Sequence, residues 1–186
     1  MRPPRISRSR VLDATLDLAS EAGLSAVTMR AVAERLEVTP MALYRHVGDK
    51  QGLLDGLVER LMAEIAVPAG AADEDWRTVL RALARNIRAV ARRYPDLFLL
   101  LFQRRATTEG AQGPRQSVFA ALRQAGVPEK ELAGLERMLS TFVYGFAASE
   151  AGGRFAGLNV EAEFEYGAAH VERLIEAIAG DAARTR

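Results

Sequence analysis

No part of this chain alternates apolar and polar residues for long enough to make a strand. Apolar residues instead return every three or four positions almost throughout, the spacing of a helix face. Residues 7–23, SRSRVLDATLDLASEAG, place Leu12, Leu16 and Ala19 on one side with Val11, Thr15, Leu18 and Ala22 beside them. Ser7 or Ser9 can cap that helix, and Gly23 suits the left-handed residue that stops it. TMRAVAERLEV (28–38) turns Met29, Val32, Ala33 and Leu36 inward behind Thr28 as cap. In VTPMALYRHVGDK (38–50), Thr39 is the N-cap and Pro40 takes the first helical position, where a missing N–H does no harm. Gly48 and Asp49 end this helix after only about two turns. Asp49 then caps KQGLLDGLVERLMAEIAV (50–67), where Leu53, Leu54, Leu57, Leu61 and Ile65 recur at three and four.

PAGAA (68–72) is the clearest linker, and it sets the expected boundary between domains 1–67 and 68–186. Beyond it the pattern stays helical. DEDWRTVLRALARNIRAVARRY (73–94) sets Trp76, Val79, Leu80, Leu83, Ile87 and Val90 against an Arg-rich face. Pro95, Pro114 and Pro128 each stand where a new helix can open, with EGAQG (109–113) and AGGRFAGLN (151–159) as loops. A last helix (160–180) ends on Gly180, leaving DAARTR as a frayed tail. The spacing predicts an all-α chain of about nine helices.

The chain has 186 residues, 49% of them hydrophobic and 26% charged, within the ordinary range for a globular protein. The absence of cysteine excludes a disulfide framework, thiolate metal sites and a thiol nucleophile. The basic start MRPPRISRSR lacks the apolar stretch of a secretory signal, and the longest greasy run, LFLLLF (97–102), is far too short for a bilayer. A cytoplasmic chain without membrane contact is therefore expected. Net charge is only +1, but residues 1–50 hold eight basic against six acidic side chains, while the rest hold seventeen against eighteen. Arg2, Arg5, Arg8 and Arg10 form a cationic arm of the kind a polyanion attracts.

The second and third helices are joined by about three residues, so they must cross steeply, as in a helix-turn-helix. Isolated helices shorter than about 12–15 residues rarely hold in water, so the third must be held by its neighbours. Ala33 is small at the close approach, Val38 plugs the turn, and Leu43 with Val47 anchors the third helix. With those inward, Pro40, Met41, Ala42, Tyr44, Arg45 and His46 cannot all be inside. An outward face on a helix of this size matches a DNA major groove.

The stretch VLDATLDLASEAGLSAVTMRAVAERLEVTPMALYRHVGDKQGLLDGLVERLM, with its EAG, T-x-R-x-V-A, L-Y-x-H-V and Asp-Lys signatures, resembles the DNA-binding domain of the TetR family of transcriptional regulators over residues 5–65. The resemblance implies a three-helix N-terminal DNA-binding domain, its helix-turn-helix at about 28–47, followed by a helical ligand-binding and dimerisation domain. Thr28, Tyr44 and Lys50 match positions that hold phosphates, with Thr39 a further contact. Arg30 matches a base-edge reader, and Pro40, Met41, Ala42, Arg45 and His46 lie along the reading face. Because Pro40, Met41 and Ala42 cannot hydrogen-bond base edges with their side chains, direct reading is expected to rest on Arg30 and Arg45. Glu37 departs from the pattern: it stands where the family's turn commonly has Gly, a position often needing positive φ.

The resemblance further implies a homodimer on a palindromic operator, a small-molecule effector of unknown identity, and repression as the common mode. Residues 129–151 and 160–179 would pair with their copies through Leu135, Gly145, Phe146, Ala148, Val171, Leu174 and Ile178, while small residues such as Gly134 and Gly167 allow close approach. Trp76, Phe98, Phe102, Phe119, Met138 and Phe142 are candidates to line an effector pocket, with Arg104 or Arg105 near an anionic group. Catalysis is not expected. The two imidazoles, His46 and His170, lack a Glu three residues before them, and neither G-x-S-x-G nor a phosphate-cradling glycine loop occurs. No cofactor or metal is called for. The alternative reading is a helical protein-interaction module that kept the fold and lost DNA binding.

Overall fold

A computed structural model describes residues 6–67, 74–104 and 109–184, and among them only helices, turns and loops occur. The expected linker at 68–72, Arg2, Arg5 and Arg105 lie outside the described residues. The chain condenses into two compact units, Met1–Ala63 with Asp96–Ala111, and Glu64–Pro95 with Gln112–Arg186.

The first unit holds α1 (Arg8–Ala22), a 3-10 turn (Leu24–Ala26), α2 (Met29–Arg35), α3 (Pro40–Val47) and most of α4 (Lys50–Ile65). Its core is made by the residues whose spacing marks them: Val11, Leu12, Val32, Leu43, Leu53, Leu57 and Leu61 are all 2% exposed or less. Ser7 is the cap of α1, accepting from the Arg10 N–H at 3.3 Å. Arg8 and Arg10 therefore belong to the first turn of a helix rather than to a free arm. Both terminal amines of Arg8 donate to Glu59, at 2.6 and 3.0 Å, which ties α1 to α4. Glycine makes this packing possible. A Cβ at Gly56 would lie 2.0 Å from a Leu12 methyl, and one at Gly52 would lie 1.7 Å from the Val47 carbonyl oxygen.

Two single turns, α6 (Pro95–Phe98) and α7 (Leu100–Gln103), take the place of the one helix expected there. Leu99 between them keeps helical dihedrals (φ −63°, ψ −22°), so the chain hardly changes course. Arg104 follows and bonds Asp55 through Nε (2.9 Å) and Nη2 (2.6 Å), and the Gln51 side chain through Nη1 (2.8 Å).

The second unit is built from α5 (Trp76–Arg93), most of α8 (Glu109–Gln124), α9 (Glu129–Ala151) and α10 (Val160–Arg184), with α5 packing chiefly on α9. Three expectations are corrected here. Residues 109–113 are the first turn and a half of α8 rather than a loop. Pro114 thus sits inside the helix, where it cannot make the backbone bond to Gly110 and sets its ring against that carbonyl. α10 continues past Gly180 to Arg184, because a helical glycine costs only about 1 kcal/mol and does not by itself stop a helix. Finally, Arg88 does not lie on a solvated Arg-rich face: it is 2% exposed.

Arg88 is held by both Glu150 oxygens (2.8 and 3.1 Å) and by Glu161 (2.9 Å), with its guanidinium 4.2 Å from the centre of the Phe164 ring. Burial pushes its pKa down, and the bonds to Glu150 and Glu161 more than reverse that. The same contact holds the Glu161 carboxyl below the usual carboxylate range. One buried cation thereby joins α5 to the end of α9 and the start of α10.

Candidate nucleic-acid interface

α2 and α3 are fastened by a turn that follows from backbone hydrogen bonding. α2 ends at Leu36; the Glu37 N–H then bonds the Glu34 carbonyl (3.1 Å) and the Val38 N–H bonds the Ala33 carbonyl (3.0 Å). This pair of bonds is the Schellman arrangement, which places the intervening residue in the left-handed region. Glu37 has φ 55°, alone among the described non-glycine residues. The departure from glycine noted in the sequence is thus accommodated by strain rather than by a different turn.

Beyond the turn, Leu43 is fully buried and Val47 half-buried, which pins one side of α3 to its own unit. The opposite side is open. Met41 is 69% and Tyr44 48% exposed, Pro40 and Arg45 are exposed, and Ala42 and His46 are half-buried. Thr39 occupies the N-cap position without using its side chain, so its hydroxyl is left for a partner. Thr28 does cap α2, accepting from the Ala31 N–H at 3.0 Å, and its hydroxyl proton stays available to donate. Arg30, its side chain 84% exposed, bonds Glu34 Oε1 through Nε at 2.8 Å, and the carboxylate raises the guanidinium pKa. Lys50 is exposed at the start of α4, whose cap is Asp49 accepting from the Gly52 N–H at 3.0 Å. The ten residues assigned to a DNA contact thus fall on one helix-turn-helix and the helix end beside it. Gly52, which lets the end of α3 meet the first turn of α4, was missed; its only sequence signal is a glycine early in a helix.

The second unit contains an apolar cavity of ≈ 70 Å³, lined by residues of α5, α8, α9 and α10. Among the aromatic residues considered for a pocket, Phe142 lines it. Trp76 is buried elsewhere, beneath the Arg77 guanidinium at 4.2 Å; Phe119 is half-buried near Arg115 and Arg123; Met138 is 42% exposed. Phe98 is buried in the first unit, edge-on to the exposed Phe102 at 6.0 Å, and Arg104 is engaged there by Asp55. Of the residues considered for dimer contact, Leu135 is buried within its own chain, and Val171 lines the cavity. Phe146 stacks among Phe142, Phe155 and Phe164 at 4.9–6.2 Å between ring centres. Gly145 and Leu174 are exposed, while Ala148 and Ile178 are half-buried.

Residues 11–57 match the family model "Bacterial regulatory proteins, tetR family", and residues 68–178 match "Tetracyclin repressor-like, C-terminal domain". The chain belongs to the TetR family. A relative, the HTH-type transcriptional repressor DrrR1 of Streptomyces coeruleorubidus, is 33% identical over 147 residues, covering 79% of this chain and 54% of its own length. The class A tetracycline repressor from transposon 1721 of Escherichia coli is 41% identical over 95 residues, 50% of this chain and 43% of the relative. This TetR-family chain therefore spans about half the length of these two relatives. Among solved structures, apo ActR from Streptomyces coelicolor superposes with a TM-score of 0.81 at 22% identity, covering 98% of this chain and 99% of the other. BioQ with its double-stranded DNA operator gives 0.72 at 23% identity, covering 93% and 99%. At such identities the likeness is one of fold.

Proposed function

We propose that this TetR-family chain is a transcriptional regulator, acting as a repressor, that binds a palindromic operator as a homodimer and releases it when a small molecule enters its C-terminal domain. In this reading the working division is residues 1–67 for DNA and 68–186 for effector and dimer contacts. The observation that carries it is the open side of α3: Leu43 buries one face completely while Met41, Tyr44 and Arg45 stand in solvent beside Arg30 and Lys50. A short helix so anchored and so decorated suits a major groove, where arginine can bond two acceptors of guanine at once. Thr28, Thr39, Tyr44 and Lys50 would grip phosphates, which position the head without specifying sequence. The likeness to BioQ, whose structure was solved on its operator, and to the repressor DrrR1 supports this reading.

Selection of bound fragments from a random DNA pool tests the proposal. The expected product is a palindrome, with half-sites about one helical turn apart or a multiple of that. Affinity for it should fall at least about tenfold between 50 and 200 mM salt as counterion release weakens. Arg30→Ala should cost about 1–3 kcal/mol in binding for each half-site and relax the preference at one base pair. Failure to enrich any sequence, with a flat salt response, would instead favour a protein-interaction module, a reading to which the exposed apolar Met41 lends support.

A further inference from the structure

The cavity of the second unit constrains the chemistry of whatever enters it. Eleven of its fourteen lining residues are apolar; the three others are Arg81, Ser140 and Glu172. The charges are already matched. Arg81 donates from Nε (2.6 Å) and Nη2 (3.2 Å) to the two Glu172 oxygens and from Nη1 (2.8 Å) to Glu165. All three nitrogens of the fork already face carboxylates, so its charge is balanced and a ligand carboxylate would approach beside Glu165 and Glu172. A ligand cation would compete with Arg81 for Glu172, whose two oxygens each already accept a guanidinium bond. An unpaired charge brought into apolar surroundings is strongly disfavoured.

Ser140 is the remaining polar group. Its hydroxyl donates to Glu136 Oε1 at 3.1 Å, so towards the cavity its oxygen is left to accept. Size sets the other limit. An enclosed dry cavity of about 150 Å³ takes benzene, and this one, open on one side, holds ≈ 70 Å³. A single ring fits only if a wall yields, and Phe142 is the wall suited to yield. It is half-exposed, and its ring lies where Gly167 has no side chain: a Cβ there would sit 2.4 Å from Cζ.

We infer that the effector is an uncharged molecule with a hydrocarbon body no larger than one substituted ring, bearing at most one hydrogen-bond donor, which Ser140 receives. This rests on the regulator reading above for the word effector, but the binding claim is measurable alone. The full-length protein is titrated calorimetrically with phenol, toluene, benzoate, benzylammonium and naphthalene. Phenol and toluene should bind, with the two charged compounds and naphthalene at least about tenfold weaker. Ser140→Ala should weaken phenol about fivefold, the loss of one hydrogen bond, and leave toluene unchanged. Ala168→Leu, which fills the cavity from α10, should abolish both; should that variant not fold, the contrast between phenol and toluene in Ser140→Ala carries the test. Benzoate, benzylammonium or naphthalene binding as tightly as phenol would overturn the assignment, as would the absence of binding by both neutral single-ring probes. Operator binding by the same protein without probe is measured separately. If phenol binds but the probe-free protein binds no operator, the regulator reading sinks and the ligand class stands; if the probe-free protein binds operator but none of the probes binds, the reverse holds.

Discussion

Glu37 carries the cost of the turn between α2 and α3. A side chain in the left-handed region costs roughly 1–2 kcal/mol, and glycine returns part of that gain through its freer unfolded chain. Glu37→Gly is therefore expected to raise stability by up to about 1 kcal/mol in urea denaturation, without altering the fold. Gly52 behaves oppositely. The atom a Cβ would meet is a backbone carbonyl oxygen at 1.7 Å, which cannot turn aside as a side chain can. Gly52→Ala should cost about 3 kcal/mol by the same measurement, at the upper end of overpacking effects. It should also weaken DNA binding, since the displaced segment is the end of α3 itself.

Helices in this chain owe their persistence to their neighbours in differing degrees. α3, eight residues long, has one fully buried residue and no side-chain cap bond, so it exists because α1, α2 and α4 hold it. α5 is long and has an N-cap in Asp75, yet it buries a cation among its apolar residues. Removing one partner of a buried pair commonly costs 3–5 kcal/mol. Arg92 remains 3.2 Å from Glu150 as a second partner, so Arg88→Ala should fall near the lower end, about 3 kcal/mol. Replacing both members, Arg88→Met with Glu150→Leu, should restore most of that loss, because no buried charge is then left unmatched. The pair also has a pH signature. Glu161 has a lowered pKa in the folded chain, so its contribution is complete above its ordinary value of 4.5 and is lost as pH falls through the lowered one. Urea midpoints measured from pH 6 down to 3 should fall less steeply for Glu161→Gln than for the parent.

An assembly of two copies needs exposed apolar surface on the elements that pair. α9 and α10 offer Met138 at 42%, Leu174 at 39% and Tyr166 at 68% exposure, with the exposed Gly134 and Gly145 on α9. Leu135, which the family resemblance put in the same role, is buried within its own chain. If the pairing proposed here forms on this surface, Leu174→Glu should shift the protein towards monomer in light scattering. Palindromic DNA binding should fall with it, since two linked heads gain from effective concentration and one does not. An unchanged dimer would place the interface elsewhere.

Periodicity, caps and the T-x-R and L-Y-x-H-V signatures were sufficient to read an all-α chain, to locate α1 to α4 within a residue or two, and to show that the residues proposed to read DNA fall on α2, α3 and the start of α4. These are local properties, encoded within about a dozen neighbouring positions. Even the awkward φ of Glu37 could be anticipated, because the turn's hydrogen bonds lie within six residues. What could not be read depends on residues distant in the chain. That Arg88 is buried requires Glu150 and Glu161, more than sixty positions away. Which aromatic ring meets the cavity requires knowing that Gly167 stands opposite Phe142, and a helical face alone does not distinguish a core side from a pocket side. The same spacing serves both, and the choice between them is made by packing between helices.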